Sequence, residues 1–386
     1  MPRERFIAID WLRGFVMILM AIDHASGFMN TGRLAVDSVY PVAAFFVPGW
    51  EAGTSLDGAQ FFTRWITHLC APTFLFLSGT SLAMSVAGRT VRGESARSID
   101  RHLVARGLVL IAFEACWLSL GPSAAVGRYL LVLQVLFAIG ASLVAMAALR
   151  RLPSAWLVGF ALAWFVVSDV LTPRLAPVGP DVGPVAALLL APGEFGLAAV
   201  AYPVLPWLAM MMLGWAFGTH LMRRRERGET SDAVAPHCAF AGVASLLVFT
   251  AVRGSNGIGN LGLLRDDGSW VQWLHTSKYP PSLSFACLEL GLMALLLAAL
   301  LFVQGRMRGE PWKYNPCLVL GRTALFFYLL HFPLLLAMAI ATGSLQAGGL
   351  VHTYLAALAA VVLLYPACLA YHRYKSRHPD GWTRFV

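Results

Sequence analysis

Apolar runs long enough to cross a membrane recur along the whole chain, and they limit its fold more than any other feature. Crossing the roughly 30 Å of bilayer hydrocarbon takes about 20 residues of α-helix. Of the 386 residues, 58% are hydrophobic and only 13% are charged, and the mean hydropathy is +0.67. This composition excludes an ordinary soluble domain. The sequence therefore predicts an all-α, polytopic membrane helix bundle that forms one transmembrane domain over residues 1–386.

Basic residues in the short loops indicate how this bundle is oriented. With the N-terminus inside, 20 of the 29 Lys and Arg residues fall on the cytoplasmic side, and this bias orients membrane proteins. We therefore predict that both termini are cytoplasmic, in an inner membrane, and we attribute the net positive charge to topology rather than to nucleic-acid binding. The ten predicted spans are residues 6–27, 61–87, 103–121, 128–149, 153–172, 197–221, 234–252, 281–304, 316–341 and 350–372.

The first span carries four ionisable residues in the stretch DWLRGFVMILMAIDH. An ionisable side chain inside a membrane costs at least about 2.5 kcal/mol unless it faces a partner or a water-filled cavity. At about 100° per residue, Asp10, Arg13 and His24 share one narrow stripe of the helix, and Asp23 lies roughly 100° from His24. The sequence therefore predicts that one polar face of this helix lines a passage.

Some of these polar residues have a purely structural interpretation. Asp10 and Arg13 are three residues apart and can form an ion pair near one end of the helix. Glu114, Asp169 and Glu289 lie in or near other spans, and we expect one of them to pair with an Arg for structure rather than chemistry.

Four segments are predicted to reach the same depth in the outer half of the membrane. His24 comes late in an outward-going helix, and His68 comes early in an inward-going one. Lys278 and Tyr279 precede another inward-going span, and His331 lies beyond the middle of an outward-going helix. We expect His24, with Asp23 beside it, or His68 to be catalytic, and we expect Lys278, Tyr279 and His331 to contact a substrate.

Two further residues could line the same pocket, and one helix must bend if its polar residues are to share it. Gln134 is a candidate for the part of the pocket wall that binds the substrate and Trp207 for the part that binds the donor, although apolar spans carry such residues for packing as well. Arg322 and His331 are nine residues apart, on opposite faces of a straight helix. We expect a bend, which Pro333 would favour.

The inner end of the bundle carries a separate set of positive charges. Arg13 and Arg322 lie there, near Lys313, and we predict that they bind the donor. The rise from Arg13 to His24 is roughly 16 Å, so a ligand that reaches both must be long and anionic at its inner end. An acyl-coenzyme A, such as acetyl-coenzyme A, fits this description because its phosphates suit Arg and Lys. No metal site is predicted.

Several sequence blocks resemble known membrane acyltransferases. RFIAIDWLRGFVMILMAIDH, with ten residues between Arg13 and His24, resembles the first-helix signature of the acyltransferase-3 family. RWITHLCAPTFLFLSGTSL, YPVLPWLAMMMLGWAFG, SKYPPSL and NPCLVLGRTALFFYLLHFP resemble the bacterial branch of the heparan-alpha-glucosaminide N-acetyltransferase catalytic family. This resemblance implies a multi-pass enzyme that moves an acyl group, usually acetyl, from cytoplasmic acyl-coenzyme A to an acceptor such as a sugar.

The resemblance does not decide between the two histidines. Lysosomal members of the second family have Asn where His24 stands, and their catalytic His lies in the following loop. No His occurs here between His24 and His68. The catalytic role of His24 follows the acyltransferase-3 pattern, with Arg13 at the matching spacing, and His68 is its rival.

We interpret the chain as an acyl-coenzyme A dependent O- or N-acyltransferase. Its partners are the bilayer, the acyl-coenzyme A, and a glycan or small hydroxyl or amine acceptor; the sequence leaves a homo-oligomer open. His24 would deprotonate the acceptor, or the imidazole would attack the thioester and form an acyl-His. The main alternative is a secondary transporter with an intramembrane proton relay, and a third is an inactive scaffold.

Overall fold

The computed structural model describes residues 6–41, 49–121, 123, 129–178 and 182–378. Within them, 14 α-helices follow one another along the chain. They are α1 (Ile7–Met29), α2 (Gly58–Trp65), α3 (Cys70–Val91), α4 (Ala96–Phe113), α5 (Val135–Leu149), α6 (Ser154–Leu175), α7 (Pro184–Leu189), α8 (Val204–Glu226), α9 (Ala235–Ser255), α10 (Trp270–Leu274), α11 (Leu283–Arg306), α12 (Pro316–Arg322), α13 (Ala324–Ala341) and α14 (Leu350–Arg377).

The helices confirm an all-α, polytopic membrane bundle. In the described part of the chain, seven helical segments are long and apolar enough to cross a membrane: Gly58–Val91, Ser154–Leu175, Val204–Glu226, Ser231–Ser255, Leu283–Arg306, Ala324–Ala341 and Leu350–Arg377. The three other predicted spans coincide with α1, α4 and α5. The count of ten stays a prediction, and the chain termini, which we predict to be cytoplasmic, lie outside the described residues.

A close crossing of α1 and α12 positions the polar stripe of the first helix. A Cβ atom on Gly14 would lie 1.8 Å from the carbonyl oxygen of Cys317, and one on Gly321 would lie 1.8 Å from that of Asp10. Only glycine permits such an approach of two backbones. The crossing brings the Asp10 end of α1 against the end of α12 that carries Arg322.

The span predicted at residues 316–341 forms two helices, and the expected change of direction lies at Thr323 rather than at Pro333. Thr323 separates α12 from α13 with φ −121° and ψ 26°. Pro333 lies inside α13, where it cannot donate to the Leu329 carbonyl. That carbonyl instead accepts a hydrogen bond from Trp117 Nε1 at 2.9 Å, so the helix continues. The break at Thr323 lets the two helices orient their polar residues independently.

Three buried or partly buried acids in the spans have no arginine partner within the described residues, which corrects the expectation of a structural ion pair. Glu114 lies in a π-helical turn after α4, and its Oε2 accepts from the backbone N–H of Phe137 at 3.0 Å. Asp169 Oδ1 accepts from the Leu261 N–H at 2.6 Å. Glu289 is 1% exposed. Backbone N–H groups, rather than arginines, therefore bond one carboxylate oxygen of each of the first two acids, while Glu114 Oε1 has no hydrogen-bond partner among the described residues.

A small sheet joins segments on either side of α5 to α7. β1 (Leu131–Leu133) pairs in parallel with β3 (Ala198–Val200), and β3 pairs antiparallel with β2 (Gly193–Phe195). β1 ends two residues before α5 begins, and β3 ends four residues before α8 begins. The sheet therefore holds together the ends of two helices that border the site.

Candidate active site

His24, near the C-terminal end of α1, contacts His331 of α13. This pair is the shortest polar contact between α1 and α13. The distance from His24 Nδ1 to His331 Nε2 is 2.6 Å, and the two ring planes are 16° apart. His331 Nδ1 lies 3.1 Å from the carbonyl oxygen of Phe327. His331 is fully buried, whereas His24 is partly exposed. The structure thus places His24 beside His331 and not beside His68.

Asp23 is held by arginine rather than by His24. Its Oδ1 accepts hydrogen bonds from Arg33 Nη2 at 2.8 Å, Arg64 Nη1 at 2.6 Å and Thr67 Oγ1 at 3.1 Å. Arg33 Nη1 also donates to the Asp23 backbone carbonyl at 2.6 Å. This carboxylate therefore anchors the loop after α1 and the start of the next span to α1.

Asp37 links the same arginine to the second histidine. Arg64 Nε donates to Asp37 Oδ2 at 2.7 Å, and His68 Nε2 lies 3.3 Å from that oxygen. Arg64 and His68 are one helical turn apart, so one carboxylate can reach both. Burial opposes ionisation of Asp37, but Arg64 and His68 outweigh it and hold the pKa of this loop carboxyl well below its usual range. The buried His68 lies within this charge network.

Aromatic side chains extend the network to two further candidates. Arg64 Nη2 donates to the Tyr279 hydroxyl at 3.3 Å, and Lys278 Nζ lies 5.2 Å from the centre of the Tyr279 ring. The Tyr202 ring contacts Tyr279 edge-on at 5.6 Å and stacks on Trp207 at 4.7 Å. The structure therefore brings Asp23, His68, Lys278, Tyr279 and Trp207 into one cluster, next to the pair formed by His24 and His331.

A cavity of about 290 Å³ opens at the opposite end of α1 and runs toward the histidine pair. Arg13, Arg322, Arg106 and Lys375 line it at what we call the basic end. Apolar side chains of α1, α3, α4 and α5 line its middle, and Tyr328 belongs to its wall as well. The Tyr328 ring is 6.0 Å from the His24 ring. The cavity thus extends from a cluster of cations to Tyr328, which packs against His24, although His24 and His331 are not among its lining residues.

Asp10 holds two of these cations in place. Arg13 Nη1 is 3.4 Å from Asp10 Oδ1, and Arg322 Nε is 3.3 Å from Asp10 Oδ2. Arg13 Nη2 also donates to Ser81 Oγ at 2.8 Å. The ion pair between Asp10 and Arg13 is therefore present, but both arginines still line the cavity. A structural pair and a ligand-binding role are compatible here.

Arg106 and Lys375 are cavity residues that the sequence reasoning missed. Both were counted among the cytoplasmic basic residues, Arg106 near the start of the predicted span 103–121 and Lys375 just after the predicted span 350–372, so their charge indicated only orientation. Arg106 Nε has no hydrogen-bond partner among the described residues, and the charges nearest to Arg106 are the like charges of Arg13 and Arg89. A buried or half-buried guanidinium among like charges favours an anionic ligand.

Two other predicted site residues, Lys313 and Gln134, do not line this cavity, and neither does Trp207, which lies in the cluster around Tyr279. Lys313 is exposed, and its Nζ packs 5.1 Å from the centre of the Tyr314 ring. Gln134 precedes the first turn of α5, where its backbone carbonyl accepts from Ala138 N–H at 3.0 Å. The neighbouring Val135 and Leu136 line the cavity, so Gln134 lies at its edge. The roles of both residues stay predictions.

Comparison with known protein families decides what class of membrane protein this is. The heparan-alpha-glucosaminide N-acetyltransferase catalytic domain matches residues 50–252, which is more than half of the 386 residues. The chain belongs to this family. The chain is thus a multi-pass membrane protein of an acetyltransferase family. No curated protein matches it. The matched range contains Arg64, His68 and Arg106, whereas His24 and His331 lie outside it.

Proposed function

We propose that the chain is an acyl-coenzyme A dependent O- or N-acyltransferase of an inner membrane. It would take an acyl group, in particular acetyl, from the cytoplasmic side and pass it to a hydroxyl or amine of a sugar or a similar small acceptor. The observation that supports this most is the cavity, which runs from Arg13, Arg106, Arg322 and Lys375 to Tyr328 beside His24.

The two ends of the cavity suit the two ends of an acyl-coenzyme A. Arginine and lysine side chains bind phosphate oxygens through charge-assisted hydrogen bonds, so the basic end suits the nucleotide. The apolar middle suits an extended pantetheine arm. Arg13 and His24 are separated by roughly 16 Å along α1, so a donor bound at the basic end would bring its thioester toward His24.

The chemistry needs one base and returns its proton within a turnover. His24 Nε2 would accept the proton of the acceptor O–H or N–H, and the acceptor atom would attack the thioester carbonyl carbon. The carbon–sulfur bond then breaks, and the proton on His24 passes to the departing thiolate. The products are the acylated acceptor and free coenzyme A. His68, held beside Asp37 at 3.3 Å, is the alternative base, and an acyl-His is the alternative intermediate.

Donor binding is the sharpest test of this proposal. Purified protein in nanodiscs should bind acetyl-coenzyme A, with an affinity that falls as salt rises. Arg106→Gln should weaken binding about tenfold because one charge-assisted contact of about 1.4 kcal/mol is lost. Arg101→Gln is the matched control, since Arg101 lies on the same helix, is exposed and does not line the cavity. No binding to the unmodified protein would favour the secondary transporter instead.

Substitution of the two histidines tests the catalytic assignment. His24→Ala and His24→Asn should bind acetyl-coenzyme A normally but lose roughly a hundredfold or more in transfer to glucosamine, the probe acceptor. The same two substitutions at His68 rank the candidates. A His68 variant that binds donor without turnover, beside an active His24 variant, would show that His68 is the base.

A further inference from the structure

We propose that His331 is a positioning residue that holds His24 in the tautomer whose Nε2 lone pair is free to accept a proton. This inference rests on the proposed role of His24 as the base. It assigns His331 a role in orienting the catalytic imidazole rather than in contacting a substrate.

Hydrogen-bond donors and acceptors in the pair determine both tautomers. The Phe327 carbonyl can only accept, so His331 Nδ1, at 3.1 Å, must carry the hydrogen. In neutral imidazole the other nitrogen then has the lone pair. His331 Nε2 therefore accepts, and His24 Nδ1, at 2.6 Å, donates. His24 Nε2 is left with its lone pair.

The surroundings keep this arrangement from exchanging its partners. The Phe327 ring lies nearly parallel to the His331 ring at 5.2 Å, and Phe332 packs edge-on against His24 at 5.4 Å. His331 is fully buried, so water does not compete with His24 Nδ1 for the lone pair of His331 Nε2. The only carboxylate adjacent to His24 in sequence, Asp23, is occupied by Arg33 and Arg64.

A neutral partner has a specific consequence for proton transfer. When His24 Nε2 takes the proton of the acceptor substrate, the hydrogen on His24 Nδ1 either stays hydrogen-bonded to His331 Nε2 or transfers to that nitrogen. The positive charge is therefore shared between the two rings. The reverse movement restores both neutral rings when the proton passes to the thiolate. His331 thus orients the base as the aspartate of a Ser-His-Asp triad does, but without a negative charge.

Two substitutions of similar size separate this role from packing. The amide of Gln reaches the position of an imidazole Nε2, so His331→Gln keeps an acceptor for His24. The amide of Asn reaches only the position of Nδ1, so His331→Asn keeps a donor toward the Phe327 carbonyl and loses the acceptor. A residue that only fills space would be replaced equally well by either.

Nitrogen NMR of the protein in lipid bilayers, with ring-¹⁵N-labelled histidine, reads the tautomers without reference to activity. The unmodified protein should show a His24 signal set of the Nδ1–H form, identified by its loss in His24→Asn. This set should persist in His331→Gln and convert to the Nε2–H form in His331→Asn. A His24 signal of the Nε2–H form in the unmodified protein would overturn the inference, whatever the enzyme acylates.

Turnover of acetyl-coenzyme A with glucosamine provides the second readout. His331→Asn should lose on the order of a hundredfold in kcat with an unchanged KM for the donor, and His331→Gln should stay within about tenfold of the unmodified protein. Equal losses in both variants, with equal thermal stability, would show that His331 does not act through its acceptor nitrogen. If neither variant nor His24→Asn alters turnover, the proposed catalytic role of His24 fails instead.

Discussion

Replacing Arg64 with Gln should destabilise the protein because it removes the shared partner of two buried carboxylates. The Arg64 side chain is 6% exposed. Its Nη1 bonds to Asp23 at 2.6 Å, its Nε to Asp37 at 2.7 Å, and its Nη2 to the Tyr279 hydroxyl at 3.3 Å. Three nitrogens of one guanidinium thus join three segments, which the single ammonium of a lysine could not do.

The size of the effect follows from what each carboxylate retains. Asp23 keeps Arg33 and Thr67, so most of the cost falls on Asp37, which keeps His68 at 3.3 Å and the more distant charge of Lys278. Removing one partner of a buried ion pair costs about 3–5 kcal/mol, and the lower value applies here because only one carboxylate loses its arginine entirely. With an unfolding entropy of about 2.1 cal/mol/K per residue, a loss of about 3 kcal/mol lowers Tm by roughly 4 °C.

Thermal unfolding in nanodiscs, followed by tryptophan fluorescence at a constant heating rate, measures this change. Arg33→Gln is the control because Arg33 is more exposed and leaves Asp23 bonded to Arg64, so its Tm should change by less than about 1 °C. Adding Asp37→Asn to Arg64→Gln should recover part of the loss, since the uncompensated charge is gone. Equal Tm values for Arg64→Gln and Arg33→Gln would refute the reasoning.

The pH dependence of the same pair of proteins adds a second check. A carboxyl whose folded-state pKa is lowered, as for Asp37, stabilises the fold above its unfolded value of about 3.9, and this stabilisation is lost as the pH falls through the folded value. Without Arg64 the pKa of Asp37 rises, so less stabilisation is present to be lost. The Tm difference between the unmodified protein and Arg64→Gln should therefore narrow below about pH 4. A Tm difference that stays constant below pH 4 would contradict the stabilisation of the Asp37 carboxylate by Arg64.

Three further outcomes are expected elsewhere in the molecule. Gly321→Ala places a Cβ 1.8 Å from the Asp10 carbonyl oxygen of α1, so it should force α1 and α12 apart. Acetyl-coenzyme A binding, measured by isothermal titration calorimetry, should then weaken at least tenfold. Asp169→Ala should cost about 1 kcal/mol by loss of its hydrogen bond from the Leu261 N–H, seen as a lower Tm, while Asp169→Asn should cost less. In a background without native cysteines, a Cys at Ser55 should react with an external impermeant thiol reagent and one at Glu226 should not, and the opposite pattern would reverse our topology.

Local rules account for the features of the site that the sequence predicted from α1. The apolar runs predict the helices because their length matches the bilayer, and helical periodicity places Asp10, Arg13 and His24 on one side. The ion pair between Asp10 and Arg13 is an i, i+3 contact, so its formation needs no knowledge of the rest of the chain.

Contacts between distant segments follow from rotations and crossings that periodicity does not describe. His24 contacts His331, 307 residues away, rather than His68, although all three were predicted at similar depth. The charges of Arg106 and Lys375 indicated only topology in the sequence, yet both line the cavity.

The sequence by itself determined the helices, the polar stripe of α1 and the family resemblance, because each depends on residues that are neighbours along the chain. Only the tertiary structure decided which histidine pairs with His24 and which cations share a cavity. The physical reason is that helices are oriented by close packing between remote backbones, such as Gly14 against Cys317, and by the break at Thr323. These choices come from the whole bundle at once, so no local stretch encodes them.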